Sequence, residues 1–163
     1  MNIQSITTSQ LPIIKQLAYQ IWPICYAKIL DSDQINYMLS NFYALSSLEE
    51  QLNQGHQFVV LYENDLPVGF ASYQHNADQT NQTKLHKLYV STDKHKKGLG
   101  QKLMNYVIMQ AAMAKSTAVF LNVNRYNDAL HFYTKNNFEI IKEEDIAIGN
   151  GYLMEDYVMQ KQL

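Results

Sequence analysis

The sequence predicts a mixed α/β fold of the α+β kind, and three patterns carry that prediction. In the first 55 residues apolar side chains recur at three- and four-residue spacing, as they do on helices with one buried face. From His56 to Tyr73, two runs rich in β-branched and aromatic residues (HQFVVLYE and LPVGFASY) flank Asn64-Asp65, which reads as a hairpin. From Lys84 to Val123 the order strand, loop, helix, strand implies at least one parallel crossover.

Taken in order, Ile3 and Ile6 mark a short first strand. Thr7-Thr8-Ser9 supply helix caps and Pro12 falls in the first turn, after which Leu11, Ile14, Leu17, Ala18 and Ile21 form one apolar face until Pro23 ends or kinks the helix. A second helix starts near Ser32 with Ile35, Met38, Leu39 and Phe42 on one side, and a third runs from Ser47 through Leu48 and Leu52 to a stop at Gly55. After the hairpin, Asn76 to Asn81 is polar loop and Lys84 to Val90 is a third strong strand. A lysine-rich turn with two glycines leads into a helix from Gln101 to Lys115, with Leu103, Val107, Ala111 and Ala114 on one face. Thr117 to Val123 is strand, Asn127 to Asn136 helix, Phe138 to Ile141 the start of a strand, Gly149 to Gly151 a turn and Tyr152 to Met159 a last strand.

At 163 residues, with 47% hydrophobic and 17% charged composition, the chain reads as a single domain over 1–163. Cys25 is the one cysteine, so no internal disulfide exists, and without a base paired to it in sequence it reads as a packing residue. The net charge of −2 disfavours a nucleic-acid-coating role. No basic-then-apolar leader and no long apolar stretch is present, so a cytoplasmic protein with no membrane or nucleic-acid partner is expected. His56, His75, His86, His95 and His131 show no metal-ligand spacing, and no metal is expected.

The segment His95-Lys96-Lys97-Gly98-Leu99-Gly100 lies between a strand and a helix. Two glycines let backbone approach an anion, and unsatisfied first-turn amides favour negative charge there, so the loop is either a phosphate site or a plain turn with solvated lysines. It is neither a G-x-x-x-x-G-K-S/T loop nor a dinucleotide fingerprint. Some thirty residues on, Asn127 to Phe138 read N-x-A-x-x-F-Y-x-K-x-x-F directly after a strand. With Leu88-Tyr89-Val90, these residues resemble the GNAT superfamily of acetyl-CoA-dependent N-acetyltransferases. The N-terminal helices and the ending are similar, less specifically, to its bacterial polyamine-type members.

The resemblance implies a mixed, mostly antiparallel central sheet of about six or seven strands flanked by about four or five helices, splayed at the strand Lys84–Val90. It implies acetyl-CoA as co-substrate and direct acetyl transfer to an amine. The backbone of Leu88, Tyr89 and Val90 would receive the thioester carbonyl. His95, Lys96, Lys97, Gly98, Leu99, Gly100, Gln101 and Lys102 would surround the pyrophosphate, with His95 standing where glutamine or arginine is usual. Asn127, Ala129, Phe132 and Lys135 would lie along the cofactor, although Lys135 and the loop lysines have solvated readings beside these. Asn137 replaces the family's glycine before Phe138, a substitution the turn tolerates because asparagine accepts positive φ. Tyr133 matches the family's tyrosine acid, its phenol protonated at neutral pH, and its other reading is aromatic core packing on the helix. His86, placed by strand alternation on the same face as Leu88, is either the base or, as the alternative, a partly exposed strand histidine or a substrate-positioning residue.

The expected function is N-acetylation of a primary amine, a small molecule such as a polyamine. The alternatives are a protein or peptide amine as acceptor and a noncatalytic acyl-CoA-binding regulatory module. Dimerisation is common in the family, so a homodimer is compatible with this reading. Charge is uneven: Lys84 to Lys102 contains six lysines and one acid, so the remainder is acidic and suits a cationic acceptor.

Overall fold

The computed structural model describes residues 1–94 and 98–163, so His95, Lys96 and Lys97 lie outside the described residues. Strand β1 (Asn2–Ser5) is followed by helices α1 (Leu11–Cys25), α2 (Ser32–Phe42) and α3 (Leu45–Asn53). The hairpin β2 (Gln57–Glu63) and β3 (Leu66–Gln74) turns at Asn64 and Asp65, both at positive φ, as its two-residue connection requires. Strand β4 (Thr83–Val90), helix α4 (Leu99–Met113), strand β5 (Ala118–Asn124), helix α5 (Ala129–Lys135) and the hairpin β6 (Glu139–Gly149) and β7 (Tyr152–Gln162) complete the chain.

The seven strands form one sheet in the order β1-β2-β3-β4-β5-β7-β6. All neighbours are antiparallel except β4 and β5, which the α4 crossover makes parallel. Leu99, Leu103, Met104, Val107 and Ala111 of α4 bury against one face together with Tyr133 of α5. Leu11, Ile14, Leu17, Ile21, Ile35, Leu39 and Leu48 of α1, α2 and α3 bury against the other. Asp31 caps α2, its Oδ1 accepting from Gln34 N at 2.8 Å.

Two irregularities in β4 shape the centre of the molecule. It pairs with β5 only at Thr83, Lys84 and Leu85, after which the two strands part, the expected splay. Against β3, Ser72 faces Lys87 and Tyr73 faces Leu85, which leaves His86 as the extra residue of a β-bulge.

Helix α3 starts at Leu45 rather than Ser47, α4 runs from Leu99 to Met113 rather than from Gln101 to Lys115, and α5 spans Ala129–Lys135 rather than Asn127 to Asn136. Proline removes a backbone donor and normally stops a helix, yet α1 continues through Pro23 to Cys25. Tyr26 N still reaches Trp22 O at 3.0 Å, so only the last turn is affected. Strand β6, of which the sequence marks only the start at Phe138 to Ile141, runs on to Gly149; it is the sheet edge, and its Lys-Glu-Glu-Asp run carries no apolar alternation because most of it faces solvent.

Candidate active site

The parting of β4 and β5 opens a cavity of about 1190 Å³ that reaches both faces of the sheet. Leu88, Phe132 and Tyr133 line it from the α4 and α5 side, and Trp22, Tyr26 and Met38 from the side of the N-terminal helices. A roof covers the latter side: α2 sends Gln34 Nε2 to Leu153 O at 2.9 Å and Tyr37 Oη to Ile148 O at 2.8 Å, clasping the tip of the β6–β7 hairpin.

At one end, Gly98 precedes α4 in the left-handed conformation (φ +71°), where a side chain is disfavoured, and among the described residues no side chain caps the helix. The first-turn amides of Leu99, Gly100 and Gln101 therefore present donors and the positive end of a 15-residue dipole. All four residues line the cavity. A Cβ on Gly100 would sit 3.7 Å from the Phe132 ring and 4.0 Å from Leu88 Cδ2, filling space against the cavity wall.

Tyr133 is buried, its ring edge-on to Phe132 (5.4 Å between centroids) and Phe138 (5.9 Å). Burial pushes its phenol well above the usual tyrosine range, so it carries its proton at any physiological pH. Asn127 Oδ1 accepts from Ala129 N at 2.9 Å, which starts α5 and sets the turn on which Phe132 and Tyr133 depend. Asn137 has φ +64°, the positive value expected of the residue standing in for glycine.

With this geometry in place, the chain can be compared with known proteins. The sequence model of the acetyltransferase (GNAT) domain matches residues 54–140, more than half of the chain. The chain belongs to the GNAT acetyltransferase family. Members are acetyl-CoA-dependent N-acetyltransferases, which is the activity and co-substrate expected from the sequence. The search of curated proteins returned no match. Among solved structures, the fold is similar to a PaiA N-acetyltransferase from Thermoplasma acidophilum in complex with coenzyme A, at 22% identity and a TM-score of 0.80 over 100% of both chains. It is similar to a GCN5-related N-acetyltransferase from Rhodopseudomonas palustris, at 16% identity and a TM-score of 0.85 over 99% of this chain and 95% of that one. A ribosomal-protein-alanine N-acetyltransferase from Brucella melitensis shares 19% identity with a TM-score of 0.69 over 100% of both chains.

The GNAT cavity gathers most of the residues singled out in the sequence: His86, Leu88, Tyr89, Val90, Gly98, Leu99, Gly100, Gln101, Asn127, Ala129, Phe132 and Tyr133. It does not gather Lys102 and Lys135, which are exposed. Lys102 Nζ lies 3.0 Å from Met1 Sδ. Cys25 is on the wall, but burial pushes its thiol up, away from the thiolate that a nucleophile needs. Among the described residues no cluster of three or more His, Cys, Asp or Glu could hold a metal, and no helix is long and apolar enough to cross a membrane.

His86 is not on the face of Leu88, because the bulge breaks the alternation. Leu88 packs with the α4 side, whereas His86 stacks on His56 at 3.8 Å and donates Nε2–H to Gln74 Oε1 at 3.1 Å. The donor is assigned by Gln74, whose own amide nitrogen is spent on Gln54 O at 2.9 Å. Burial, then the neighbouring His56 and lysines, push the His86 pKa down to about 2. The ring is neutral throughout the physiological range, and so weak a base accepts a proton from an ammonium poorly.

The same bulge turns Lys87 inward, a placement that no periodicity in KLHKLYV announces. Its Nζ donates to Gln51 Oε1 at 2.7 Å and lies 5.4 Å and 5.8 Å from the Tyr43 and Phe58 ring centroids. Burial, with the charge of Lys84, lowers its pKa from 10.5 to about 8. Because the folded value lies below the unfolded one, the cost of this charge is present in full below about pH 8 and fades as pH rises toward 10.5. At ~1.4 kcal/mol per unit the cost is about 3 kcal/mol. Lys87→Met is therefore expected to raise unfolding free energy at pH 7 by ~1–3 kcal/mol and to flatten its rise between pH 8 and 10. Urea unfolding of both proteins across that range checks this, and a less stable variant at pH 7 would show the ammonium to be a net stabiliser.

Proposed function

We propose that this GNAT protein transfers the acetyl group of acetyl-CoA directly to the primary amine of a small molecule, a polyamine being the type acceptor. The roof formed by Gln34 and Tyr37 over the hairpin carries the small-molecule part, because it encloses the acceptor side of the cavity where a peptide would need an open groove. The same side is lined by Trp22, Tyr26 and Tyr43, rings whose faces suit an organic cation.

The residues fit acetyl-CoA. The α4 N-terminus with Gly98 and Gly100 would hold the pyrophosphate, and the β4 edge from Leu88 to Val90, which faces the gap rather than a strand, would hold the pantetheine arm and carbonyl. Bound acetyl-CoA supplies the thioester that the amine attacks. Asn127 and Phe132 flank the path and Tyr133 stands beside it as the acid that protonates the departing sulfur. The raised thiol pKa of Cys25 fits transfer without an acyl-enzyme. His86 serves as a strand histidine rather than the base, fixing the wall between β4 and α3 through Gln74 and His56.

Release of free coenzyme A from acetyl-CoA, followed across a panel of polyamines, amino sugars, amino acids and peptides with free N-termini, tests this reading. Turnover is expected with small amines and not with peptides. Peptide-selective turnover would make the acceptor a protein amine, and acetyl-CoA binding with no turnover across the panel would favour a noncatalytic module.

A further inference from the structure

With His86 neutral and committed to Gln74, the acceptor's proton needs another destination. One carboxylate in the cavity wall has the required surroundings. Asp156 lies on β7 directly opposite Asn124 of β5 and Glu144 of β6, on the sheet face turned toward the N-terminal helices. It is 3% exposed and lines the same cavity as Tyr133.

Its partners do not neutralise it. Asn122 Nδ2 approaches Asp156 Oδ2 at 3.4 Å and divides itself with Glu144 Oε2 at 3.2 Å. Arg125, the one arginine of the chain, directs its guanidinium to Asp145 at 2.7 Å, Glu143 at 3.5 Å and Glu155 at 3.7 Å, and of Asp156 meets only the backbone oxygen. Among the described residues Asp156 forms no ion pair. An anion buried without a counterion is costly, and a cationic ligand offsets that cost. Tyr26, the residue that follows α1, lines this cavity together with Asp156 and Tyr133.

We propose that Asp156 holds the acceptor's ammonium group and takes its first proton, so that the acceptor enters as a cation. This rests on the N-acetyltransferase reading above. Asp156 takes one proton from R–NH3⁺, leaving R–NH2. The nitrogen forms its bond to the acetyl carbon, the carbon–sulfur bond breaks, and Tyr133 gives its proton to the thiolate. The second proton shed by nitrogen restores Tyr133, and Asp156 returns the first to solvent. The balance is one amide, one free thiol and one proton released.

The surroundings poise the carboxylate for this. Burial raises its pKa, with the charge of Glu144 acting the same way, while the Asn122 hydrogen bond, Arg125 and Lys84 act against them. Removing the Asn122 amide therefore raises the Asp156 pKa further.

The test uses the full chain as wild type, Asp156→Asn, Asp156→Glu and Asn122→Ala, with spermidine as the probe amine. Steady-state rates are read from pH 5 to 9, together with calorimetric acetyl-CoA affinity. For the wild type, kcat/KM for spermidine is expected to fall on the acid side with the carboxylate and to stay level up to the amine's own pKa, since the charged amine is the form bound. Asp156→Asn should lose about 100-fold or more in kcat/KM with acetyl-CoA affinity kept. Asp156→Glu should regain part of it, and Asn122→Ala should move the acid limb to higher pH. The Asn122→Ala limb stands as the readout if Asp156→Asn does not fold. Wild-type kcat/KM in Asp156→Asn, an unmoved limb in Asn122→Ala, or a kcat/KM rising tenfold per pH unit through neutrality would overturn the assignment to Asp156 while leaving acetyl transfer intact. Acetyl-CoA binding without transfer in the wild type would overturn the enzymatic reading itself, and this assignment with it.

Discussion

Tyr133→Phe is expected to lower kcat by about 10²- to 10³-fold while leaving acetyl-CoA affinity and Tm close to wild type. The substitution deletes only the hydroxyl. The ring contacts with Phe132 and Phe138 persist, so the packing that Tyr133 shares with any buried aromatic residue is unaffected. What disappears is the hydroxyl, held protonated by burial, that we propose donates its proton to the leaving thiolate. Rapid-quench measurement of a single turnover separates this step from product release. Wild-type turnover in the variant would reduce Tyr133 to a core residue.

Gly69→Ala is expected to cost ~1–3 kcal/mol in stability, the range for forcing extra volume into a packed site. For a chain of this size that is a fall in Tm of roughly 2–4 °C per kcal/mol. Gly69 pairs with Val90 across β3 and β4, and a Cβ there would lie 2.8 Å from the backbone oxygen of Tyr89 and 3.3 Å from Val90 Cγ2. Backbone must yield, and the part that yields is the Leu88–Val90 edge proposed to receive the thioester, so acetyl-CoA KM should rise as well. Gly100→Ala is the contrasting case. Its new Cβ meets ordinary contacts of 3.7 Å and longer, and alanine favours the helix, so Tm should hold or rise while acetyl-CoA affinity falls. Differential scanning fluorimetry with and without acetyl-CoA reads both effects. Equal loss of Tm in the two variants would show that the cavity wall and the β3–β4 pairing are not separable in this way.

Local chemistry made much of the molecule legible in advance. The helices α1 to α4 follow from apolar side chains at three- and four-residue spacing, and the β2–β3 hairpin from its flanking runs and the Asn64-Asp65 turn, while the positive φ of Asn137 follows from its standing where the family has glycine. The cavity end of α4 was legible as a phosphate site or a plain turn, and the Asn127-to-Phe138 segment through its resemblance to the family; that Asn127 starts α5 by accepting from Ala129 N came from the structure. Edge strand β6 was the least legible element, because a strand that faces solvent has no apolar alternation to betray it.

The proposed acceptor side was not legible in the same way. Strand alternation paired His86 with Leu88, but a single inserted residue relative to β3 sent His86 and Lys87 to the other face, and nothing in KLHKLYV marks where a bulge falls. Asp156 is one of fifteen acidic residues in the chain and gains its character only where β5, β6 and β7 bury it together. By itself the sequence determined the elements, their order and the family, since these depend on periodicity, turn chemistry and contiguous motifs. Only the tertiary structure decided which side chains meet in the gap between β4 and β5 and how each is charged there, because register, burial and electrostatic partners are set by residues far apart in the chain.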